Sequence, residues 1–362
     1  MPCRRKLVIA SPISVIPCFK PVLAGRPNDQ PAAKEKTDPS KLSDYRHCHH
    51  HKAGCPKTYV PLRVFVGITP SAAYFLLALS IVIAVGMWDD VTDISPRVKF
   101  VIQIVASCLM IFGAGVQLHG VGDLFGWRPI GLSVLAIPLT VFAIVGVVNA
   151  VNMMDGLDGL GGSLAFVAFA WYAAVAANSG LDVQFKTAVI FCGAIAGFLM
   201  FNLRFPWQAH ARVFLGDAGS LMIGFALGWF AIDLTQGPGR TFPPIAALWV
   251  LLLPLADCVS LMTRRVSRRK SPFVADRHHI HHYLLARGFT HGQTLATLVG
   301  VSALFGAVGY FGWRLGVPEP VLFWTFFLGF FAYYFWIKRA WKAIDEKTVS
   351  VPEVVGEDVV PS

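Results

Sequence analysis

Charged side chains are scarce in this 362-residue chain: Asp, Glu, Lys and Arg make up 14% of it, against about 25% in a soluble domain. That shortage, with 55% hydrophobic residues and a mean hydropathy of +0.58, excludes a soluble globular protein and leaves an integral membrane protein. Cysteine is also sparse. The total of seven is odd and gives no disulfide framework. Cys108, Cys192 and Cys258 fall within apolar runs, where they read as small hydrophobes. Acidic residues are outnumbered 21 to 31 by Lys and Arg, a net charge of +10. With no basic soluble domain to carry it, that excess excludes nucleic-acid binding and suits the anionic headgroups of a lipid bilayer. An internal repeat of the kind common in secondary transporters is also missing.

What the chain does have is long apolar runs, each near the roughly 20 residues needed to cross about 30 Å of hydrocarbon. They lie at about 71–88, 98–115, 130–148, 160–177, 187–203, 218–234, 244–263, 293–312 and 319–337. The expected fold class is therefore an all-α polytopic membrane protein with about nine transmembrane helices. The transmembrane domain is placed at 64–340, between a basic, His- and Pro-rich tail at 1–63 and a C-terminal tail at 341–362. Alternate loops hold fifteen and four Lys/Arg, so the richer set is assigned to the cytoplasm by the positive-inside rule.

Five polar islands interrupt the apolar pattern, and all fall in the cytoplasmic set: Asp89-Asp90, 149–158, 202–212, 214–220 and 276–282. A carboxylate at mid-bilayer costs roughly 2.5–3.5 kcal/mol, so so many near helix ends require a reason. Asp89 and Asp90 stand at a helix C-terminus, where the macrodipole disfavours acids; a divalent cation or a phosphate-bearing substrate would compensate. Asn149, Asn152, Asp155 and Asp158 recur every third residue, which spreads them around a helix. The interleaved glycines let the backbone open there and converge these groups on a ligand. Asp217, in the segment FLGDAGS, sits where a helix N-terminus can receive an anion, as a hard ligand for Mg2+ or as a simple N-cap. Asn202, Arg204 and Arg212 can orient a phosphate or anchor the interface. Arg277, His279, His281 and His282 suit hydrogen bonding to a diphosphate or sugar better than zinc, since no cysteine flanks them. Asp257 lies within a span and is read either as functional or as a contact between helices.

Asp89-Asp90, NAVNMMDGLDGL at 149–160, VFLGDAGSLMIG at 213–224, PLADCVSLMTRR at 254–265 and DRHHIHHYLLARGFTHGQ at 276–293 together resemble the polyprenyl-phosphate N-acetylhexosamine-1-phosphate transferases. The His-Ile-His-His form at 279–282 is most similar to the branch that uses UDP-N-acetylglucosamine and undecaprenyl phosphate. The resemblance spans about 65 to 340, with the motifs in order. It implies a multi-pass protein of the bacterial cytoplasmic membrane that binds undecaprenyl phosphate and a UDP-N-acetylhexosamine, releases UMP and uses Mg2+, with Mn2+ as a substitute. By the same likeness Asp89, Asp90, Asp155 and Asp158 are catalytic, and Asp217 and Asn152 bind the metal. Asn149, Asn202, Arg212, Arg277, His279, His281 and His282 are assigned to the substrates, and a homodimer is expected. Both a one-step attack and a covalent aspartyl intermediate are compatible with this spacing. Residues 1–63 depart from the family, which usually has two further helices at this point. The expectation is a shifted or truncated start, with an inactive homologue as the alternative function and a transporter as a more distant one.

Overall fold

The computed structural model describes residues 69–237, 242–269, 271 and 278–349, all within the compact unit Phe65–Ser362. The tail at 1–63, Arg277 and the end of the C-terminal tail lie outside the described residues. The described chain forms eleven α-helices and, apart from two isolated bridges, no strand. In order they are α1 Pro70–Thr92, α2 Pro96–Cys108, α3 Ala136–Met154, α4 Leu160–Asn178, α5 Asp182–Asn202 and α6 Gly216–Asp233. They continue with α7 Pro244–Val250, α8 Leu252–Ser267, α9 Ile280–Ala286, α10 His291–Arg314 and α11 Glu319–Val349.

Local sequence sets where these helices begin. Pro70 opens α1, and the Thr69 hydroxyl accepts the Ala72 N–H at 3.2 Å. Thr290 and Gln293 form a reciprocal capping box at the start of α10. All nine expected apolar runs coincide with a helix or a pair of helices, but two differ in kind from simple spans. Among the described residues, seven helices are long and apolar enough to cross a membrane, and an eighth span results if α7 and α8 are counted together. That pair is bent by 79°. Pro254, in the first turn of α8, has no N–H to return to the preceding turn, which accounts for the break. The run expected at 218–234 is α6, whose four glycines and terminal Asp217 and Asp233 dilute its apolar character.

α6 is instead the buried axle of the bundle, packed between α1 and α3. Its approach to both is backbone to backbone. A Cβ on Gly224 would lie 2.7 Å from the Val148 Cα, and one on Gly86 of α1 would lie 2.6 Å from the Ala218 N. Around this axle stacked aromatics fill the interior, with Phe169 on Phe191 at 4.6 Å and Phe75 edge-on to Trp229 at 4.7 Å. The periphery is apolar in the opposite direction: Phe142, Ile190 and Leu328 are exposed, the outward pattern that lipid solvates.

Turns at 178–182 and loops at 114–132, 234–237 and 315–319 close one end of the bundle. There the Gln236 Oε1 accepts the His119 N–H at 3.0 Å, and Glu319 accepts the Asp123 N–H at 2.8 Å. The polar islands occupy the other end.

The contact between α1 and α6 gives a direct test. Gly86→Val must force apart two backbones in contact, so it is expected to destabilise the protein by about 1–3 kcal/mol. Thermal unfolding in detergent should record a lowered midpoint; an unchanged midpoint would show that the two helices are not in backbone contact.

Candidate active site

Three short segments that end or begin helices meet at one place. The C-terminal turn of α1 carries Asp89 and Asp90, the first turn of α2 carries Lys99, and the first turn of α6 carries Asp217. Asp89 is almost fully buried, with one carboxylate oxygen on the Ile94 N–H at 2.9 Å and the other on the Lys99 ammonium. The same ammonium donates to Asp217 Oδ2 at 2.9 Å, so two carboxylates converge on one cationic point. From α3, the Asn152 amide donates to Asp217 Oδ1 at 2.6 Å and to Ser220 Oγ at 2.8 Å.

Asp90 faces the other way. Its carboxylate accepts the N–H groups of Asp217 at 2.7 Å and Ala218 at 3.1 Å, capping α6 from a neighbouring helix. The unfavourable position of Asp90 at the end of α1 is thereby offset by the positive end of α6. Gly216 makes the approach feasible: it holds φ at +64°, and a Cβ there would stand 2.7 Å from Asp90 Oδ2.

The segment 149–158 is not a loop throughout, as its glycines suggested. Residues through Met154 remain in α3, and the chain opens only after Asp155. Helical spacing therefore separates the Asn/Asp series. Asn152 reaches Asp217, whereas Asn149 turns to Gln103 of α2 at 2.7 Å. Asp155 is mostly buried and close enough to Asp217 and Asp158 to feel their charge. Burial above all, with those two carboxylates behind it, pushes its carboxyl up to about 6. Asp158 pairs with Arg204 at 2.8 Å.

Asn202 is a clamp within the scaffold. It accepts the Gly159 N–H at 2.7 Å and donates to the Val213 carbonyl at 2.7 Å, tying two island segments together. Arg212 is exposed, and its backbone N–H bonds to Phe201.

The histidines close the site from α9. His281 is buried, and its Nε2 would lie 2.5 Å from a Cβ on Gly156, so the missing side chain of Gly156 makes room for the ring. Burial, and then the neighbouring His282 and His279, hold His281 down at about 3, so it is neutral at physiological pH. His279 lies 5.4 Å from His281 in a near-parallel stack, and His282 lies 4.3 Å from it.

Two participants were not legible beforehand as site residues. Lys99 is one, although a lysine one turn inside an apolar helix is itself a signal. Tyr333, which bonds to Asp257, sits in an aromatic-rich helix that carries no such signal.

Of the five carboxylates here, Asp89, Asp217 and Asp158 pair with two cations, Lys99 and Arg204, while Asp90 and Asp155 bond to backbone N–H groups. The donor set is hard oxygen, and the excess is negative. Among the described residues, no three His, Cys, Asp or Glu are grouped as a metal site. The oxygen donor set is of the kind that suits Mg2+, which takes one or two carboxylates and completes its shell with water and substrate phosphate. It does not fit a closed zinc site.

The fold and site define a polytopic helical membrane protein with an acidic, metal-compatible centre at one end of the bundle. Residues 72–235 match the model for glycosyl transferase family 4. The chain is 36% identical over 268 residues to an undecaprenyl-phosphate alpha-N-acetylglucosaminyl 1-phosphate transferase of Haemophilus influenzae, covering 74% of this chain and 76% of that one. It is 37% identical over 278 residues to the protein of the same name from Escherichia coli K12, with coverages of 75% and 74%. The Yersinia pestis protein of that name is 34% identical over 274 residues, with 75% of each covered. The chain belongs to glycosyl transferase family 4.

Asp155 yields a prediction about pH. Its folded value of about 6 lies above the ordinary 3.8, so the native state holds more protons between those limits and stability falls as pH rises through them. Asp155→Asn removes that penalty. In thermal melts without substrate, the variant should be more stable than the parent above about pH 6, with the gain gone below 3.8. A gain independent of pH would refute the assignment.

Proposed function

We propose that this chain transfers a sugar 1-phosphate, N-acetylglucosamine 1-phosphate first among the candidates, from its UDP-sugar to undecaprenyl phosphate at the cytoplasmic membrane. An oxygen of the lipid phosphate attacks the β-phosphorus of the UDP-sugar. The bond from that phosphorus to the bridging oxygen breaks, UMP leaves, and a lipid diphosphate sugar remains. The observation that carries this reading is the convergence of Asp89, Asp217 and Asn152 around Lys99 at one end of an apolar bundle. The names of the relatives point to the same acceptor and sugar phosphate.

The residues divide the work by charge. Asp217, Asp89 and Asn152 would hold Mg2+, which when bound supplies positive charge to the diphosphate oxygens. Lys99 keeps the two carboxylates oriented toward that point. Asp155, at about 6, is close to the second ionisation of a phosphate monoester, also about 6. Such matching suits it to take the remaining proton from the lipid phosphate as the nucleophile forms. His279, His281 and His282 supply ring nitrogens to the donor, and Arg204 and Arg212 line its approach. Arg277 belongs to the same group by sequence. The exposed apolar periphery lets the isoprenoid tail stay in lipid while its phosphate reaches the site.

A transporter is disfavoured by position. Its acids would line a path near the midplane, whereas the described cluster gathers at helix termini.

The test is UMP release by the purified protein in detergent with UDP-N-acetylglucosamine, undecaprenyl phosphate and Mg2+. Release should require both lipid and metal, stop with a chelator and be absent from Asp217→Ala. A folded protein that releases no UMP, assayed beside an active relative, would overturn the proposal.

A further inference from the structure

Asp257 has no task in the transfer just described, yet it is only 1% exposed. Its surroundings are built to hold a negative charge. Tyr333 Oη of α11 donates to Oδ1 at 2.7 Å, and the Ile280 N–H at the start of α9 donates to the same oxygen at 3.1 Å. Oδ2 is left to one partner, His279 Nδ1, at 2.8 Å. An ionised carboxylate only accepts hydrogen bonds, so the proton of this last bond sits on Nδ1. Among the described residues, the rings beside it are His281 and His282 of α9, and the charge of Arg265 of α8 is felt at Cys258, next to Asp257.

The orientation has a chemical consequence. With Nδ1 committed to Asp257, Nε2 is the nitrogen left for substrate. The phosphate oxygens of a nucleotide diphosphate are acceptors, so a bond from Nε2 to them requires a proton there too. The ring then carries a positive charge, and Asp257 is the counter-charge that makes this state accessible in a buried site. A staple whose task was only to join α8, α9 and α11 would work as well with a neutral acceptor, without the cost of burying a charge.

We propose that Asp257 is a positioning residue for the transfer: it fixes His279 with Nδ1 protonated and supports its positive charge while Nε2 donates to a phosphate oxygen of the UDP-sugar. This rests on the transferase reading above. The same geometry explains why a tyrosine in the last helix touches an acid of α8. Tyr333 and Ile280 fill Oδ1 and so direct Oδ2 to the imidazole.

The experiment is a double-mutant cycle on the full chain, with Asp257→Asn, His279→Ala and the two combined, measured as UMP release. Asp257→Asn keeps the shape of the side chain and removes its charge. It is expected to lower kcat and kcat/KM together by roughly 10–100-fold, by analogy with the loss of the hydrogen-bond partner of a metal-bound imidazole. In the His279→Ala background the same change should cost nothing further. Wild-type kcat in Asp257→Asn, or losses that simply add, would overturn the proposal.

Nitrogen-15 spectra of histidine-labelled wild-type protein, with His279 assigned by its loss in His279→Gln, give a second reading that needs neither activity nor a foldable Asp257 variant. A protonated Nδ1 is expected, and an unprotonated Nδ1 would overturn the proposal. Absence of UMP release from the wild type would count against the transferase reading, while the spectra still decide the tautomer.

Discussion

The rest of the site depends on how its carboxylates are neutralised at the ends of apolar helices. Each has a distinct local solution. Asp89 has the Lys99 ammonium and a backbone N–H, Asp90 has the positive end of α6, and Asp158 has Arg204. Asp217 shares Lys99 and adds Asn152. These pairings join α1, α2, α3 and α6, so the electrostatic requirement is also what brings the helix ends into register. Remove the charge balance and the four helices have no polar reason to terminate at one point.

Asp155 is the acid left least compensated. Like Asp90 it has no side-chain cation opposite it, but its bond is to the Gly161 backbone within the field of two other carboxylates. A fully compensated cluster would be inert toward protons, and a fully uncompensated one would not fold. On the proposed reading, an acid held up at about 6 beside others paired with cations or N–H groups would be the one able to exchange a proton with substrate.

Much of the fold was legible because lipid imposes a simple rule. Every backbone group must be satisfied within the segment, so apolar runs of span length read directly as helices. The same rule explains the two departures. α6 is enclosed by protein rather than lipid and can therefore carry glycine and acid, which weakens its hydropathy. The break between α7 and α8 comes from a single proline whose effect on direction depends on packing, not on the apolar pattern. The site was legible as a set of segments, since scattered Asp, Asn and His residues are costly in such a chain. Their pairings were not. Nothing in the spacing tells that Asp90 caps α6, that Asn149 turns away to Gln103, or that Asn202 ties two backbones together. Those assignments depend on which helix faces which, and that is fixed by glycine contacts such as Gly86 on Ala218, far apart in sequence.

Glycine has a second use at the centre. Gly156 admits the His281 ring, Gly216 admits the Asp90 carboxylate, and Gly161 lies against the Asp155 carboxylate. In each case a missing side chain lets a functional group from a distant segment approach the backbone. Gly159 and Gly216 also take left-handed φ, so glycine in the polar islands both turns the chain and makes room for other groups. Gly156, Gly161 and Gly216 are receptors for neighbouring side chains. The histidine segment, more than a hundred residues from the Asp155 loop in sequence, meets it through one of these receptors, at Gly156. The His281 ring of α9 thus packs on the backbone of the loop that carries Asp155.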